Sequence, residues 1–174
     1  MSTQLVISAL GGDRPGIVDE LSNIVYQHGL NIEDSRMTIL GNEFAILLLI
    51  SGDQQAIEKL QAKTADLEDA LQMRLLIKTT SKSAPLTNTL PYKVEVHALD
   101  HPGIVRSVAS FFSSRNINIV NLQTRSYAAP HTGSQMFSLH LTIGIPADTN
   151  IAKLREAFTA TCDELNLDAE ISSI

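Results

Sequence analysis

The sequence predicts an α+β fold made of two consecutive modules, each ordered strand, helix, strand, strand, helix, strand. Three observations predict it. A short motif occurs twice, as Asp13-Arg14-Pro15-Gly16-Ile17-Val18 and as Asp100-His101-Pro102-Gly103-Ile104-Val105, at an offset of 87 residues. The apolar stripe after the first copy, Ile17, Val18, Leu21, Ile24 and Val25, maps at that offset onto Ile104, Val105, Val108, Phe111 and Phe112. Leu30-Asn31-Ile32 maps in turn onto Ile117-Asn118-Ile119. One offset that carries a loop motif, a helical stripe and a helix exit marks a duplicated unit.

The first half reads as a strand from Leu5 to Leu10, a helix from Pro15 to about His28, and a strand from Asn31 to Leu40. Gly41-Asn42 supplies a turn into the apolar strand Phe44 to Ile50. Ile57, Leu60, Thr64, Leu67 and Leu71 recur at helical spacing and mark one second helix, closed by a strand from Gln72 to Thr79. The second half repeats the order with Tyr92 to Leu99, Pro102 to Arg115, Asn118 to Tyr127 and Met136 to Ile145. A helix bearing Ile151, Leu154, Phe158 and Leu165 follows, then Leu167 to Ile174. Phe44 matches Phe137 at an offset of 93, so the second hairpin carries six extra residues around Tyr127 to Gly133. That order makes a ferredoxin-like split βαβ sandwich, a four-stranded antiparallel sheet with two helices on one face. The expected organisation is a first module over 1–79, a polar, proline-bearing linker over 80–91, and a second module over 92–174.

Composition narrows the class. With 174 residues, 44% apolar content and near-zero mean hydropathy, the chain has the make-up of one or two globular domains. Its longest apolar run, Phe44 to Ile50, is far too short to cross a bilayer, and the expected location is cytoplasmic. The single cysteine, Cys162, excludes an internal disulfide or a thiolate cluster. Net charge is −6, and the thirteen basic residues form no run, so the footprint of duplex DNA binding is missing and no direct DNA contact is expected. Modules of about 80 residues with one open sheet face are marginal alone. The two are expected to dock, with a homo-oligomer as a further option.

The duplicated motif sits between a first strand and a first helix. Proline suits the first turn because its missing N–H has no intrahelical partner there. Asp13 and Asp100 lie beside the positive end of a helix dipole. Gly16 and Gly103 lack a Cβ, so another group can approach the backbone, where N–H groups of the first turn form an anion site. An α-amino acid fits such a site through its carboxylate. The same residues also serve simply to start a helix, and Asn31 and Asn118 equally suit a helix exit. His28, His97, His131 and His140 show no metal-ligand spacing and read as structural or surface residues, and no cofactor is expected. Cys162 reads as a packing residue. The hairpin extension with Tyr127, Pro130 and His131 is open to a partner-contact reading or to that of a tolerated insertion. No nucleophile, metal or nucleotide motif of an enzyme occurs.

Asp-x-Pro-Gly-Ile-Val after a first strand, followed by Asn-Ile opening the second, resembles the ACT-domain family, small regulatory modules that bind amino acids. The resemblance covers nearly the whole chain. Asn31-Ile32-Glu33-Asp34-Ser35-Arg36-Met37 followed by Leu40-Gly41-Asn42-Glu43-Phe44 is similar in particular to family members of two modules that repress glycine cleavage genes. The resemblance implies a ligand bound where the helix-opening loop of one module meets the second strand of its neighbour. It also implies action through a transcriptional activator protein, with a small amino acid, glycine, as effector. Carried over by position, the contacts are Asp13, Arg14, Pro15, Gly16, Ile17, Asn31 and Ile32 in the first module. In the second they are Asp100, His101, Pro102, Gly103, Ile104, Asn118 and Ile119. Glu33-Asp34-Ser35-Arg36 and Val120-Asn121-Leu122-Gln123 diverge, so the two sites need not bind equally. The expected function is therefore an amino-acid-sensing transcriptional regulator, not an enzyme; a regulatory subunit of an amino-acid-metabolic enzyme is the alternative.

Overall fold

Alternation decides the first strand. Leu5, Ile7 and Ala9 are buried while Val6 and Ser8 face the other way, and the run forms β1 (Thr3–Gly12), because side chains two apart share a face of a pleated strand. The structure, a computed structural model, describes residues 3–81 and 88–174. Residues 82–87, the middle of the linker expected over 80–91, lie outside the described residues.

After β1 come α1 (Ile17–Gln27), β2 (Asn31–Leu40), β3 (Glu43–Gly52), α2 (Gln54–Ala62), α3 (Thr64–Leu71) and β4 (Met73–Thr80). The later part holds β5 (Thr89–Leu99), α4 (Ile104–Ser113), β6 (Asn118–Ala128), β7 (Gln135–Pro146), α5 (Ile151–Glu164) and β8 (Asp168–Ser173). Contacts divide the chain into two units, with the boundary between residues 84 and 85. Each unit has one antiparallel four-stranded sheet, ordered β2-β3-β1-β4 in the first and β6-β7-β5-β8 in the second. Both are the α+β, βαββαβ arrangement the repeat predicts. Among the described residues, no helix is long and apolar enough to cross a membrane.

In the first unit Ile17, Leu21 and Val25 of α1 join Leu5, Ile7, Ile46, Leu48 and Ile50 of the sheet in one core. The second core is more aromatic. Phe158 of α5 lies 5.0 Å from Phe111 and 5.1 Å from Phe112, ring centroid to ring centroid. Both first helices leave through a left-handed residue, Gly29 at φ +67° and its counterpart Asn116 at φ +55°. The N–H of Leu30 then reaches the Val25 carbonyl at 3.1 Å, and that of Ile117 the Phe112 carbonyl at 3.0 Å, which closes each helix C-terminus.

Three details depart from the sequence expectation. The single second helix of the first unit is two helices, α2 and α3, broken at Lys63 (φ −99°, ψ 11°), where the Thr64 hydroxyl donates to the Gln61 carbonyl at 2.7 Å. A threonine that bonds the preceding turn competes with the helical ladder. Val18 and Val105 do not complete the buried stripes; both are exposed, because each lies about 100° around the helix from the buried isoleucine before it. The third is the start of β5, at Thr89 rather than Tyr92, with Leu90 opposite Ile145 of β7.

Candidate functional site at the helix-opening loops

Each loop begins where its first strand stops and is tied to the far hairpin. The Asp13 N–H donates to the Asn42 carbonyl, and the Asp100 N–H to the Gln135 carbonyl, both at 2.9 Å. The chain then turns at Gly16 (φ +91°) and Gly103 (φ +101°), a region that costs an L side chain. No side chain caps either helix. The carbonyls of Gly16 and Gly103 accept from the N–H groups of Glu20 and Ser107, each at 2.9 Å. The first-turn amides have no carbonyl of a preceding turn to meet, and they stand at the positive end of the helix. Asp13, Arg14, Pro15 and Gly16 are exposed, as are Asp100, His101, Pro102 and Gly103. Ile17 and Ile104 are buried in the cores, so only their backbone can meet a ligand.

The surroundings of the two amide sets differ. In the first unit Arg14 donates through Nη1 and Nη2 to Glu20 Oε1 and Oε2, both at 2.6 Å, and Nη2 also reaches the Leu71 carbonyl at 3.4 Å. The hydrogen-bonded guanidinium holds the Glu20 carboxyl below its ordinary range, and the carboxylate holds Arg14 above its own. Glu20 thereby sits beside the glycine, with its Oε1 3.7 Å from where a Cβ on Gly16 would stand. Asp19 adds a second acid to the first turn. The second unit has neither. Its helix has no acidic residue in the first turn, a Cβ on Gly103 would meet nothing within 4 Å, and the His101 ring turns back with Nδ1 3.1 Å from the Pro102 carbonyl oxygen.

The structure separates the candidate residues of each unit into two groups. Gly12, just before the loop, pairs with Glu43 at the start of β3, whereas Asn31 pairs with Ser51 near its end. The two positions are eight residues apart along β3, about 27 Å at the usual rise. Asp13, Arg14, Pro15, Gly16 and Ile17 thus gather at one end of the sheet, and Asn31 and Ile32 at the other. Likewise Leu99 pairs with Met136 and Asn118 with Gly144, at opposite ends of the second sheet. Ile32 and Ile119 are half-buried against the cores. One small ligand therefore cannot touch both groups of the same unit.

Two acidic residues were not singled out from the sequence. Glu20 is one. The other is Glu33, which occupies a β-bulge between Ile32 and Asp34 and accepts from the Ser51 hydroxyl and, at 3.2 Å, from the Asn31 amide. The second sheet has its bulge at the same place, between Ile119 and Asn121, but the residue there is the exposed Val120. The signal was available in the divergence of the two segments, because a bulge re-aims the side chain it carries. Among the described residues, no group of three or more His, Cys, Asp or Glu could hold a metal ion. A groove of about 350 Å³, lined by Arg155, Phe158, Thr159 and residues of β8, includes none of the candidate residues.

Comparison with known proteins agrees with this architecture. The ACT domain family matches residues 3–78 and again residues 92–159. The chain is 33% identical to the glycine cleavage system transcriptional repressor of Escherichia coli (strain K12), over 98% of this chain and 90% of that one. A solved structure provisionally assigned as a glycine cleavage system transcriptional repressor is 29% identical at a TM-score of 0.76, covering 100% of this chain and 98% of the other. A protein from Galdieria sulphuraria is 27% identical with a TM-score of 0.82, covering 100% and 99%. Duplicated loops, two matching sheets and these likenesses lead to one assignment: the chain belongs to the ACT-domain family, as two ACT domains in tandem.

Proposed function

We propose that this protein is an amino-acid-sensing regulator of transcription that acts through a protein partner, with a small amino acid such as glycine as its effector. One observation carries the proposal. Each unit opens its first helix on an uncapped, left-handed glycine, so that a set of backbone amides faces out without a side chain of its own to meet. A carboxylate suits those donors. Charge-assisted hydrogen bonds contribute about 1.5–3 kcal/mol each, so two or three reach the roughly 4 kcal/mol of millimolar binding. The similarity to the Escherichia coli repressor supports transcription as the output and glycine as the effector. A net charge of −6 without a basic run supports a contact with an activator protein rather than with DNA.

The second unit is the better receptor for the carboxylate. Asp19 and Glu20 repel an anion at the first loop, and Arg14, the nearest cation, is already engaged by Glu20. The first turn of the second helix carries no acid, and Asp100 before it only matches Asp13 of the first loop. Ligand that binds one arrangement of the protein better than another shifts partner affinity, by several-fold to about a hundredfold for a coupling of ~1–3 kcal/mol.

Calorimetric titration with glycine, alanine and serine tests this reading, on the native chain and on Gly16→Val and Gly103→Val variants checked for native circular dichroism. Binding that is lost in Gly103→Val and largely kept in Gly16→Val is the expected result. Absence of heat with every amino acid up to about 10 mM would refute the proposal, because millimolar affinity is the least that two such bonds supply.

A further inference from the structure

The face of each sheet that points away from the helices differs between the units. In the first, Val6, Leu10, Ala45, Leu47, Leu49 and Leu76 form one apolar field across β3, β1 and β4. Leu10 is 50% exposed, Leu47 51% and Leu76 71%. The matching positions of the second sheet are polar, with Glu95 opposite both His140 and Glu170, and His97 opposite Asp168. The apolar field is therefore a property of the first unit and not of the fold.

Register shows what fits it. Residues directly opposite on neighbouring strands share a face, so the open face of the first sheet is read in rows. Asp34, Leu49, Val6 and Lys78 make one row; Arg36, Leu47, Ser8 and Leu76 make the next; Thr38, Ala45, Leu10 and Arg74 make the third. A two-fold axis running along the strands between two stacked copies lays β3 over the partner's β1 and β2 over the partner's β4, row on row. Leu47 then covers the partner's Ser8, Leu10 covers the partner's Ala45, and Leu49 meets the partner's Val6. Leu47 on Ser8 and Leu10 on Ala45 set a large side chain on a small one, while at the flanks Arg36 lies over the partner's Leu76 and Thr38 over the partner's Arg74. Asp34 faces the partner's Lys78 on both flanks. Asp34 also accepts from Arg36 on its own strand, an exposed pair that contributes little. An axis across the strands instead sets Arg36 against the partner's Arg36 and Lys78 against the partner's Arg74, which like charge disfavours.

We propose that the open face of the first sheet is a homodimer interface, occupied by the same face of a second copy with the two-fold axis along the strands. Four strands about 4.8 Å apart and some ten residues long make a patch of roughly 600 Å² per partner, at the low end of specific interfaces. Area alone does not set affinity, and weak association of such a patch is read between about 10 and 100 μM.

Sedimentation velocity on the full chain across that concentration range tests the proposal. The native chain forms a concentration-dependent dimer, and Leu47→Glu, with native circular dichroism, sediments as a monomer throughout. Asp34→Lys and Lys78→Asp each weaken the dimer about fivefold or more, and the double variant Asp34→Lys/Lys78→Asp regains native association, because the charges are exchanged across the interface. A native chain that stays monomeric to about 200 μM overturns the proposal. A dimer indifferent to Leu47→Glu places the contact on another surface and overturns it too. A double variant no tighter than either single change overturns the strand-parallel axis.

Discussion

Arg14 and Glu20 form a two-pronged ion pair, with both nitrogen–oxygen distances 2.6 Å, directly over the opening turn of the first helix. Their counterparts in the second unit are His101 and Ser107, which cannot form that pair. Two loops of the same backbone geometry thus present different electrostatics to the same kind of ligand. Removal of the guanidinium is expected to raise the Glu20 carboxyl back toward the ordinary carboxylate value of 4.5, since the Arg14 hydrogen bond is the first cause of its lowering. Because the folded value is lowered, the pair stabilises the protein above that pH, and its contribution fades as pH falls through the lowered value. The native chain should therefore exceed Arg14→Ala in melting temperature at neutral pH, with the gap closing in acid. Carboxyl NMR titration and thermal scans at several pH values measure both effects.

Gly103 offers a clean measurement of backbone cost. A Cβ there meets no atom within 4 Å, yet φ is +101°, so any loss of stability in Gly103→Ala comes from the dihedral alone. About 1–2 kcal/mol is expected. Gly103→Asn should lose less, since asparagine tolerates the left-handed region better than alanine. Urea unfolding of the two variants gives the comparison.

The adjacent glycines that end β1 should respond unequally. A Cβ on Gly11 would stand 2.8 Å from Met73 Cγ and 3.0 Å from the Gln72 carbonyl oxygen, whereas one on Gly12 meets nothing within 4 Å. Gly11→Ala is expected to cost about 1–3 kcal/mol as an overpacked site, and Gly12→Ala less than about 0.5 kcal/mol. Denaturation midpoints that fail to separate the two would show that β4 yields at Met73.

Cys162 is buried in the second core at 2% exposure, and burial pushes its thiol up to about 11, with Asp163 adding to the effect. The folded state therefore excludes the thiolate that the unfolded chain forms above about 9. Stability should fall as pH rises between those values, because the unfolded state binds fewer protons there. Native protein should resist a thiol reagent at neutral pH and react in denaturant. Cys162→Ala should flatten the alkaline loss in a pH series of unfolding curves.

How much was legible in advance follows from the range of each interaction. The repeat, the strand and helix order and the glycine at each helix opening depend on neighbours within a few residues, and all were readable from the repeat; that both glycines are left-handed is a finding of the structure. The break at Lys63 was not readable, because Ile57, Leu60, Leu67 and Leu71 keep helical spacing through it and only the turn geometry at Thr64 interrupts the ladder. Glu33 was visible as a divergence between the halves, but its place beside Asn31 required the bulge and Ser51, eighteen residues on.

The sequence by itself determined that this protein is two copies of one α+β module, each opening its first helix after an Asp-x-Pro-Gly motif. Periodicity and backbone sterics are local, so a linear string records them. Only the tertiary structure decided that Asn31 lies a sheet's length from Gly16 within its own unit, that Glu20 engages Arg14 beside one amide set and leaves the other open, and that one open sheet face is apolar and the other polar. Those outcomes depend on strand register, which pairs residues tens of positions apart and sets which side chains share a face.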